Sequence, residues 1–595
     1  MRRDALRHTR PARASLPADS LRIHRRPLSV AVVGAVRRYI WPDERRRHRN
    51  DATRPGRRVY GMSTAPRIVT EPGTGLDERR DLDMPRLPHG KVFDLDDFKD
   101  AREKLAESGA NTLMGFAVMA RPVDTQEFGF LFPELQSDPD NLLPEGQTTR
   151  DALVALGLAM RDTGGQAGGG NIGLPAAYTY FGQFVDHDIT LEASSATLPE
   201  LLDPDLAPLP LAEIESGIHN LRTATLELDS VYGLLAPRSG AKMKIGKVTE
   251  IGGRPAGKDD KNDLPREPRV SDPIHDRAAL IGDPRNDENT IIAQLHVAFL
   301  RAHNELVDGG ATAKAAMRRL RRHYQHIVLH DFLGRIADPA IVTGIIENGN
   351  RIYDPGDEIF MPLEFSVAAY RFGHSLIRRD YEFNINFQPA TLDQLFTFTA
   401  LSGQLGEFDT LPENWIIEWK NFVDTGKPFN HARRIDTKLV EPLFELKDLR
   451  GRPLPENRKS LAARNLLRGY LLRMPTGQAV ARRLRNLLSE VRDVPVLRPA
   501  EIRDSVSSEQ AQILEDTGFL QRTPLWYYIL AEASILADGR RLGPVGSTIV
   551  AEVLIGLVQR SENSILDVTD WKPNLPSEEP DKFTLSDLLR FAGVL

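Results

Sequence analysis

Apolar residues recur every three to four positions over much of this chain, and this period predicts amphipathic helices. The first such segment spans residues 176–188, where Pro175 suits the first position of a helix. Further helices are predicted at residues 290–307, 313–336, 363–376, 460–472, 478–491, 523–537 and 545–558. Alternating strand patterns are few and short. The sequence therefore predicts a mainly α fold, with one large helical domain and few short strands.

The first 144 residues lack this strong pattern. Residues 1–61 hold 17 Arg, no Lys and 5 acidic residues, a net charge of +12, which leaves −18 on the remainder because the whole chain carries −6. Such a segment suits a nucleic-acid arm or a transit peptide. Since it shows no clean helical period, we favour a third interpretation, in which translation starts at Met62. Residues 62–144, with one predicted helix at 95–108, are interpreted as a segment that wraps the domain at 145–595.

Composition narrows the chemistry. The chain has no Cys, which excludes disulfides, zinc–thiolate sites, iron–sulfur clusters and thiol nucleophiles, and it retains 14 His and 83 acidic residues. No stretch reaches 18 apolar residues, so we predict no transmembrane segment and a soluble protein, cytoplasmic or secreted without a recognisable signal peptide. The acidic body argues against nucleic-acid binding. The oligomeric state is left open.

The segment at residues 180–190, YFGQFVDHDIT, is the densest in reactive side chains. On a helix Gln183, Asp186 and His187 share a face, while Asp188 is turned by about 100° and can serve a different site. A solvated polar helix end explains the same pattern.

An Asp-His-Asp string could also be half of a metal-dependent phosphohydrolase site. That hypothesis needs further ligands at helical spacing, and His323 with His326 offers one such pair.

Two further segments carry candidate site residues. Residues 282–289, GDPRNDEN, place Arg285 and Glu288 three apart just before a long predicted helix. The helix dipole accounts for acidic residues in a first turn but not for Arg285. Residues 370–377 place His374 in an otherwise apolar helix, where a lone His is usually a satisfied core residue.

Two loops complete the set. In residues 223–233, TATLELDSVYG, oxygen-bearing side chains alternate in a manner that suits a hard cation such as Ca²⁺ or an ordinary half-exposed strand. The glycine-rich loop at residues 163–171 lacks the Lys-Ser/Thr that a phosphate-binding loop requires.

Together, and in this order, these motifs resemble the animal-type haem peroxidases of the peroxidase–cyclooxygenase superfamily, in their bacterial branch. The resemblance extends from about residue 144 to 566. Its further motifs are HVAFLRAHN at 296–304, AARNLLRG at 462–469, MPTGQAV at 474–480, PLWYYIL at 524–530 and LGPVG at 542–546.

The resemblance implies a haem b enzyme that reduces H₂O₂ and oxidises halide, pseudohalide or small phenolic donors through a ferryl intermediate. His187 would be the distal acid–base residue, Arg285 the distal cation and Gln183 the glutamine that holds water or halide. His374 would ligate the haem iron. Asn465 would accept a hydrogen bond from the other ring nitrogen of His374.

The resemblance also implies ester links from Asp186 and Glu288 to the haem. A third, sulfonium link requires Met after that Glu, and the residue here is Asn289, so we predict at most two esters. Arg371 is expected to contact the cofactor.

A calcium site is implied by the same resemblance. Its ligands would be Asp188, Thr223, Thr225, Glu227 and Asp229. Glu227 departs from the family pattern, which has Asp there, and its extra methylene requires the loop to shift or the ligand to be lost.

Fatty-acid dioxygenases of the same superfamily are the alternative. They carry a radical-forming tyrosine three residues before the proximal His, a position held here by Arg371. Tyr370 lies one residue earlier, about 100° round a helix. The sequence therefore favours a peroxidase.

Overall fold

The computed structural model describes residues 126–164, 170–194, 205–220, 222–233, 236–251, 262–271, 276–356, 358–446 and 459–595. The Arg-rich segment, most of the predicted wrapping segment with its helix at 95–108, and the centre of the glycine-rich loop lie outside these residues. All described residues belong to one unit, residues 77–595.

The described fold is mainly α, as predicted. Its α-helices are α1 Gln147–Ala159, α2 Ala177–Ile189, α3 Leu211–Gly217, α4 Asp229–Tyr232, α5 Thr290–Asp308, α6 Ala313–His326, α7 Leu333–Ile336, α8 Pro339–Asn348, α9 Leu392–Thr397, α10 Leu461–Leu471, α11 Gly477–Leu488, α12 Pro499–Ser505, α13 Ser508–Asp516, α14 Leu525–Ala537, α15 Pro544–Gln559 and α16 Leu585–Phe591. None of the described helices is long and apolar enough to cross a bilayer.

Strands are short. They are β1 Gln126–Gly129, β2 Asn171–Pro175, β3 Glu192–Ser194, β4 Ile218–Asn220, β5 Arg238–Ser239, β6 Lys242–Met243, β7 Gly246–Lys247, β8 Asn262–Asp263, β9 Phe360–Pro362, β10 Asp380–Tyr381, β11 Ala390–Thr391 and β12 His431–Arg433. The largest sheet of the described residues has the order β3-β4-β1-β9, in which β1 pairs antiparallel with β4 and parallel with β9.

Three of the predicted helices differ in detail, and the one predicted at 313–336 consists of α6, a π-helix at Ile327–Phe332 and α7. Pro175 is the last residue of β2, opposite His431 of β12, so its prediction as a first helical residue is wrong. Residues 363–376 form a π-helix, Glu364–Ala368, followed by a 3-10 helix, Ala369–Leu376. Nearly every residue of that segment is buried, so its apolar pattern does not distinguish one helical period from another.

Aromatic packing places α2 against its neighbours. The ring of Phe184 in α2 stacks on Phe299 of α5 at a centroid distance of 4.5 Å. Tyr324 of α6 meets both rings edge-on, at 6.1 and 5.8 Å. Such contacts add roughly 0.5–1.5 kcal/mol per pair beyond the burial of apolar area. They fix the rotation of α2, and hence the face that it leaves uncovered.

A close approach positions α10. A Cβ added to Gly157 of α1 would lie 2.5 Å from the Cα of Ala463, a distance that real Cβ atoms do not show. Glycine therefore lets α1 and α10 pack backbone to backbone. The hydroxyl of Ser460 caps α10 by accepting from the amide of Ala463 at 3.2 Å.

Candidate active site

The face of α2 that remains uncovered is narrow. Ten of the thirteen residues of α2 are buried, and the exceptions are Gly182, Gln183 and Asp186. Because residues three and four apart share a helix face, these three form one stripe. A half-buried stripe with a carboxyl and an amide, inside an apolar surround, is the kind of surface that lines a ligand site.

A second stripe lies within reach of the first. In the 3-10 helix Ala369–Leu376, Arg371 and His374 are half-buried while most of their neighbours are buried. The hydroxyl of Tyr370 donates to the carbonyl of Gly182 at 3.1 Å and ties this helix to α2. Burial raises the pKa of Asp186, and the charges of Arg285 and Arg371 oppose this shift.

Asn465 contacts His374 through its amide nitrogen, whereas the prediction had its amide oxygen accept a hydrogen bond from the ring. Asn465 Nδ2 lies 2.8 Å from His374 Nδ1, and Arg371 Nη1 donates to Asn465 Oδ1 at 2.8 Å. Since a guanidinium has only donors, Arg371 holds the amide oxygen, and Asn465 donates to the ring instead of accepting from it. Burial, followed by the charge of Arg371, lowers the pKa of His374 to about 3.

His187 is a neutral imidazole with one nitrogen occupied. Its Nδ1 lies 2.8 Å from Asn286 Oδ1, and Nε2 has no hydrogen-bond partner in the described part of the chain. Burial, followed by the charge of Arg285, lowers the pKa of His187 to about 3. A neutral ring with a bare nitrogen can accept a proton.

Arg285 is fixed beside His187. Its Nε and Nη2 donate to Asp283 at 3.1 and 2.8 Å, and Nη2 also donates to the carbonyls of His187, at 3.2 Å, and Thr190. Arg222 Nε donates to the same carboxylate at 3.0 Å. Burial alone would raise the pKa of Asp283, but these two arginines hold it below its usual range. The carboxylate therefore stays ionised and anchors both cations.

Gln183 and Glu288 lie together at the edge of this group. Gln183 Nε2 donates to Glu288 Oε1, and Asn289 Nδ2 donates to Gln183 Oε1 at 3.2 Å. Burial raises the pKa of Glu288 to about 7, although the charge of Arg285 opposes the shift. Hydrogen bonds thus link Gln183 to Glu288, His187 to Arg285, and Arg371 through Asn465 to His374, and Asp186 interacts with the charges of both Arg285 and Arg371.

The predicted cation ligands are only partly brought together. Asp188 accepts from the amides of Leu228 and Ser230, each at 3.1 Å, and Asp229 accepts from the amide of Thr223 at 3.2 Å. Burial, followed by the charge of Asp229, raises the pKa of Asp188 to about 7.

Glu227 points to other partners. Its carboxylate pairs with Arg321 at 3.3 Å and accepts from Ser561 and Asn563. No group of three or more His, Asp or Glu among the described residues could hold a metal ion. Glu227 therefore forms an ion pair with Arg321 and does not join Asp188 and Asp229 as a third cation ligand.

The histidine pair considered for a phosphohydrolase is not available as a pair of ligands. His323 Nδ1 lies 2.7 Å from the carbonyl of Arg319, and its Nε2 accepts from the amides of Asn574 and Leu575 at 3.0 and 3.2 Å. Both ring nitrogens are thereby used by the backbone. This removes the main support for that alternative.

Asp283, Arg222, Asn286 and His296 also belong to the site and were not predicted from the sequence. Asp283 could have been suspected because it lies two residues before Arg285. Arg222 lies some sixty residues away from its partner, and Asn286 meets His296 only because the chain turns between them. No periodic pattern signals such contacts.

Comparison with known proteins identifies the family of one part of the chain. Residues 217–411 match the family model for animal haem peroxidase. This part of the chain is an animal haem peroxidase domain. A peroxidase-like protein of Margaritifera margaritifera is 27% identical over 258 residues, which cover 34% of this chain and 32% of that relative, so the chain spans about a third of the relative's length.

Two solved structures also resemble this chain. Peroxidase A from Dictyostelium discoideum is 16% identical, with a TM-score of 0.49 over 74% of this chain and 88% of that one. A fatty acid alpha-dioxygenase from Oryza sativa is 14% identical, with a TM-score of 0.45 over 69% of this chain and 73% of that one.

The side chains of this site fit a haem in most respects. The two half-buried stripes carry Asp186, Gln183, Arg371 and His374, and His187, Arg285 and Glu288 lie beside them. One feature must change on binding. With Asn465 donating to Nδ1, the ring proton of His374 lies on Nε2, which a metal ligand must leave bare. Ligation through Nε2 therefore requires the amide of Asn465 to turn and Arg371 to release its oxygen.

Proposed function

We propose that the protein is a haem-dependent peroxidase that reduces H₂O₂ and oxidises a small donor such as a halide, thiocyanate or a phenol. The observation that carries the proposal is the pairing of His187, neutral and with Nε2 unpartnered by the described residues, with the anchored cation of Arg285. The bacterial branch of the family stays a prediction.

Each of these residues has a defined task. His187 would accept a proton from the bound peroxide at Nε2 and return it to the departing oxygen, which is general acid–base catalysis. Arg285 would stabilise negative charge on the peroxide, since Asp283 and two carbonyls hold its guanidinium without help from the ligand. The haem, when bound through His374, supplies the redox chemistry.

A fatty-acid dioxygenase is the second candidate. It requires a tyrosine free to form a radical towards a substrate. The hydroxyl of Tyr370 donates to Gly182, and its ring stacks on Phe365 at a centroid distance of 4.7 Å. Arg371 occupies the position of the family's radical tyrosine. These contacts support the peroxidase over the dioxygenase.

The test is spectroscopic and kinetic. Purified protein is expected to show a Soret band and to oxidise guaiacol or bromide only when H₂O₂ is added. Oxygen uptake with linoleate, without added peroxide and lost in Tyr370→Phe, would instead establish the dioxygenase. A protein reconstituted with haem that shows no Soret band would overturn both.

Ester links to the haem are proposed for Asp186 and Glu288. Both carboxyls are half-buried on the uncovered side of the site, and both have raised pKa values. After treatment with H₂O₂, we expect haem to stay with the protein in acid acetone, to do so less in Asp186→Asn or Glu288→Gln, and to extract fully from the double variant. Free extraction from the treated wild-type protein would refute the links.

Calcium is proposed to bind Asp188 and Asp229 with oxygens of Thr223 and Thr225, without Glu227. Two buried carboxylates that repel one another suit a divalent cation. Asp229→Asn is expected to abolish calcium in the purified protein by elemental analysis, and to remove a stabilisation of about 2.7 kcal/mol at a calcium concentration 100-fold above Kd. Glu227→Gln is the matched control and should retain calcium. Calcium-free wild-type protein after dialysis against calcium would contradict the site.

A further inference from the structure

Three buried side chains form a hydrogen-bonded chain behind the proposed peroxide site. His187 Nδ1 lies 2.8 Å from Asn286 Oδ1, and Asn286 Nδ2 lies 3.0 Å from His296 Nδ1. Asn286 and His296 are completely buried. Asn286 lies in the 3-10 helix Pro284–Asp287, directly after Arg285, and His296 lies in α5. Nothing in the proposed reaction uses the last two residues.

The amide couples the proton positions of the two rings. Its oxygen can only accept, so the nitrogen of His187 that faces it must carry a hydrogen. Its NH₂ group can only donate, so the facing nitrogen of His296 must be bare. The rings therefore hold opposite tautomers, with hydrogen on Nδ1 of His187 and on Nε2 of His296. Turning the amide over would exchange both.

Only one of these two states supports the proposed chemistry. With its hydrogen on Nδ1, His187 presents a bare Nε2, which can take a proton from peroxide. With the hydrogen on Nε2, the same ring could donate but not accept. When Nε2 is protonated during the reaction, Nδ1–H continues to donate to Asn286 Oδ1, so the contact is kept through both proton transfers.

We infer that Asn286, anchored by His296, is a positioning residue that sets the acid–base tautomer of His187. It is completely buried behind His187 and acts through the ring that it orients, much as carboxylates and carbonyls orient metal-binding histidines. In this arrangement His296 Nδ1 accepts from the NH₂ group, while the buried Nε2 of His296 has no hydrogen-bond partner among the described residues. The inference rests on the proposed function for its consequence, but the tautomer itself does not depend on that function.

Two substitutions separate the roles of the amide. Asn286→Leu keeps the approximate volume and removes both hydrogen bonds. Asn286→Asp keeps the acceptor towards His187, and its second oxygen accepts from a re-protonated His296. We expect the rate constant for reaction with H₂O₂ to fall about 10–100-fold in Asn286→Leu and to fall less in Asn286→Asp.

His296→Leu, combined with Asn286→Leu, tests whether His296 and Asn286 act on His187 through the same series of hydrogen bonds. If the residues act in series, the double variant Asn286→Leu/His296→Leu should be no slower than Asn286→Leu alone. Independent packing effects would instead add.

The decisive measurement reads the tautomer directly. The full-length protein is labelled with ¹⁵N-histidine, and any haem present is reduced and bound to CO so that it is diamagnetic. The His187 signals, assigned by their loss in His187→Gln, should show Nδ1–H in the wild-type protein and in Asn286→Asp, and Nε2–H or a mixture in Asn286→Leu. A purely structural role would not change the ring tautomer.

The outcomes are distinct. Nε2–H on His187 in the wild-type protein, or Nδ1–H retained in Asn286→Leu, would overturn the inference. An unchanged H₂O₂ rate constant in a folded Asn286→Leu variant would also overturn it. A wild-type protein with no peroxide reaction but the expected tautomers would refute the proposed function and leave the positioning role supported.

Discussion

His187→Ala is expected to slow the reaction with H₂O₂ by about 10²–10⁴-fold while leaving haem binding unchanged. The imidazole is neutral because burial and Arg285 depress its pKa to about 3, and its Nε2 has no hydrogen-bond partner among the described residues. Removing it leaves Arg285 in place, so stabilisation of negative charge should survive. The measurement is the stopped-flow rate constant for peroxide at several pH values.

The matched control is His330→Ala, which removes an exposed imidazole in the π-helix Ile327–Phe332, outside the site. It should leave the rate constant unchanged. A His187→Ala variant that reacts with peroxide as fast as the wild-type protein would show that another group carries the proton, and the assignment of His187 would fail.

His374→Ala is expected to remove the Soret band from the purified protein, because the variant lacks the nitrogen proposed to ligate iron. The neighbouring amide allows a finer test. Asn465→Leu should weaken haem retention by about 10–100-fold, since the ring loses the group that orients it. Asn465→Asp offers only acceptors, which suits a ring that must keep hydrogen on Nδ1 and leave Nε2 bare.

Haem retention is measured as the rate of haem transfer to an excess of apo-globin. The expected order from slowest to fastest transfer is Asn465→Asp, wild type, Asn465→Leu. His374→Ala protein that keeps a wild-type Soret band would place the iron ligand elsewhere in the chain. Asn465→Asp that loses haem faster than Asn465→Leu would contradict the proposed orientation of the amide.

Local features of the site were predictable. The spacing of Gln183 and Asp186 is enough to place them on one helix face, and the structure shows that face as the uncovered stripe of α2. The helical period of residues 290–307 predicted α5, whose cap Asn289 accepts from the amide of Ile292 at 3.0 Å. Such features depend on residues that lie a few positions apart in the chain, and a sequence pattern shows directly which residue types have that spacing.

The prediction was weaker where most residues of a helical segment are buried. The apolar pattern of residues 363–376 predicts a helix but not its type, and the structure has a π-helix and a 3-10 helix there instead of an α-helix. Glu364 within it accepts from the amides of Leu131 and Phe132, at 2.7 and 3.1 Å, more than two hundred residues earlier in the chain.

By itself, the sequence determined the mainly α class, the absence of thiol chemistry and the candidate histidines, carboxylates and arginine of the site, since these follow from composition and local spacing. Only the tertiary structure decided how those groups are oriented. Arg371 donates to the amide oxygen of Asn465 and so sets the direction of that amide. Arg321 forms an ion pair with Glu227, and Asn286 forms hydrogen bonds with both His187 and His296. Hydrogen bonds and ion pairs depend on distance and direction in space, and contacts between distant parts of the chain leave no period in the sequence.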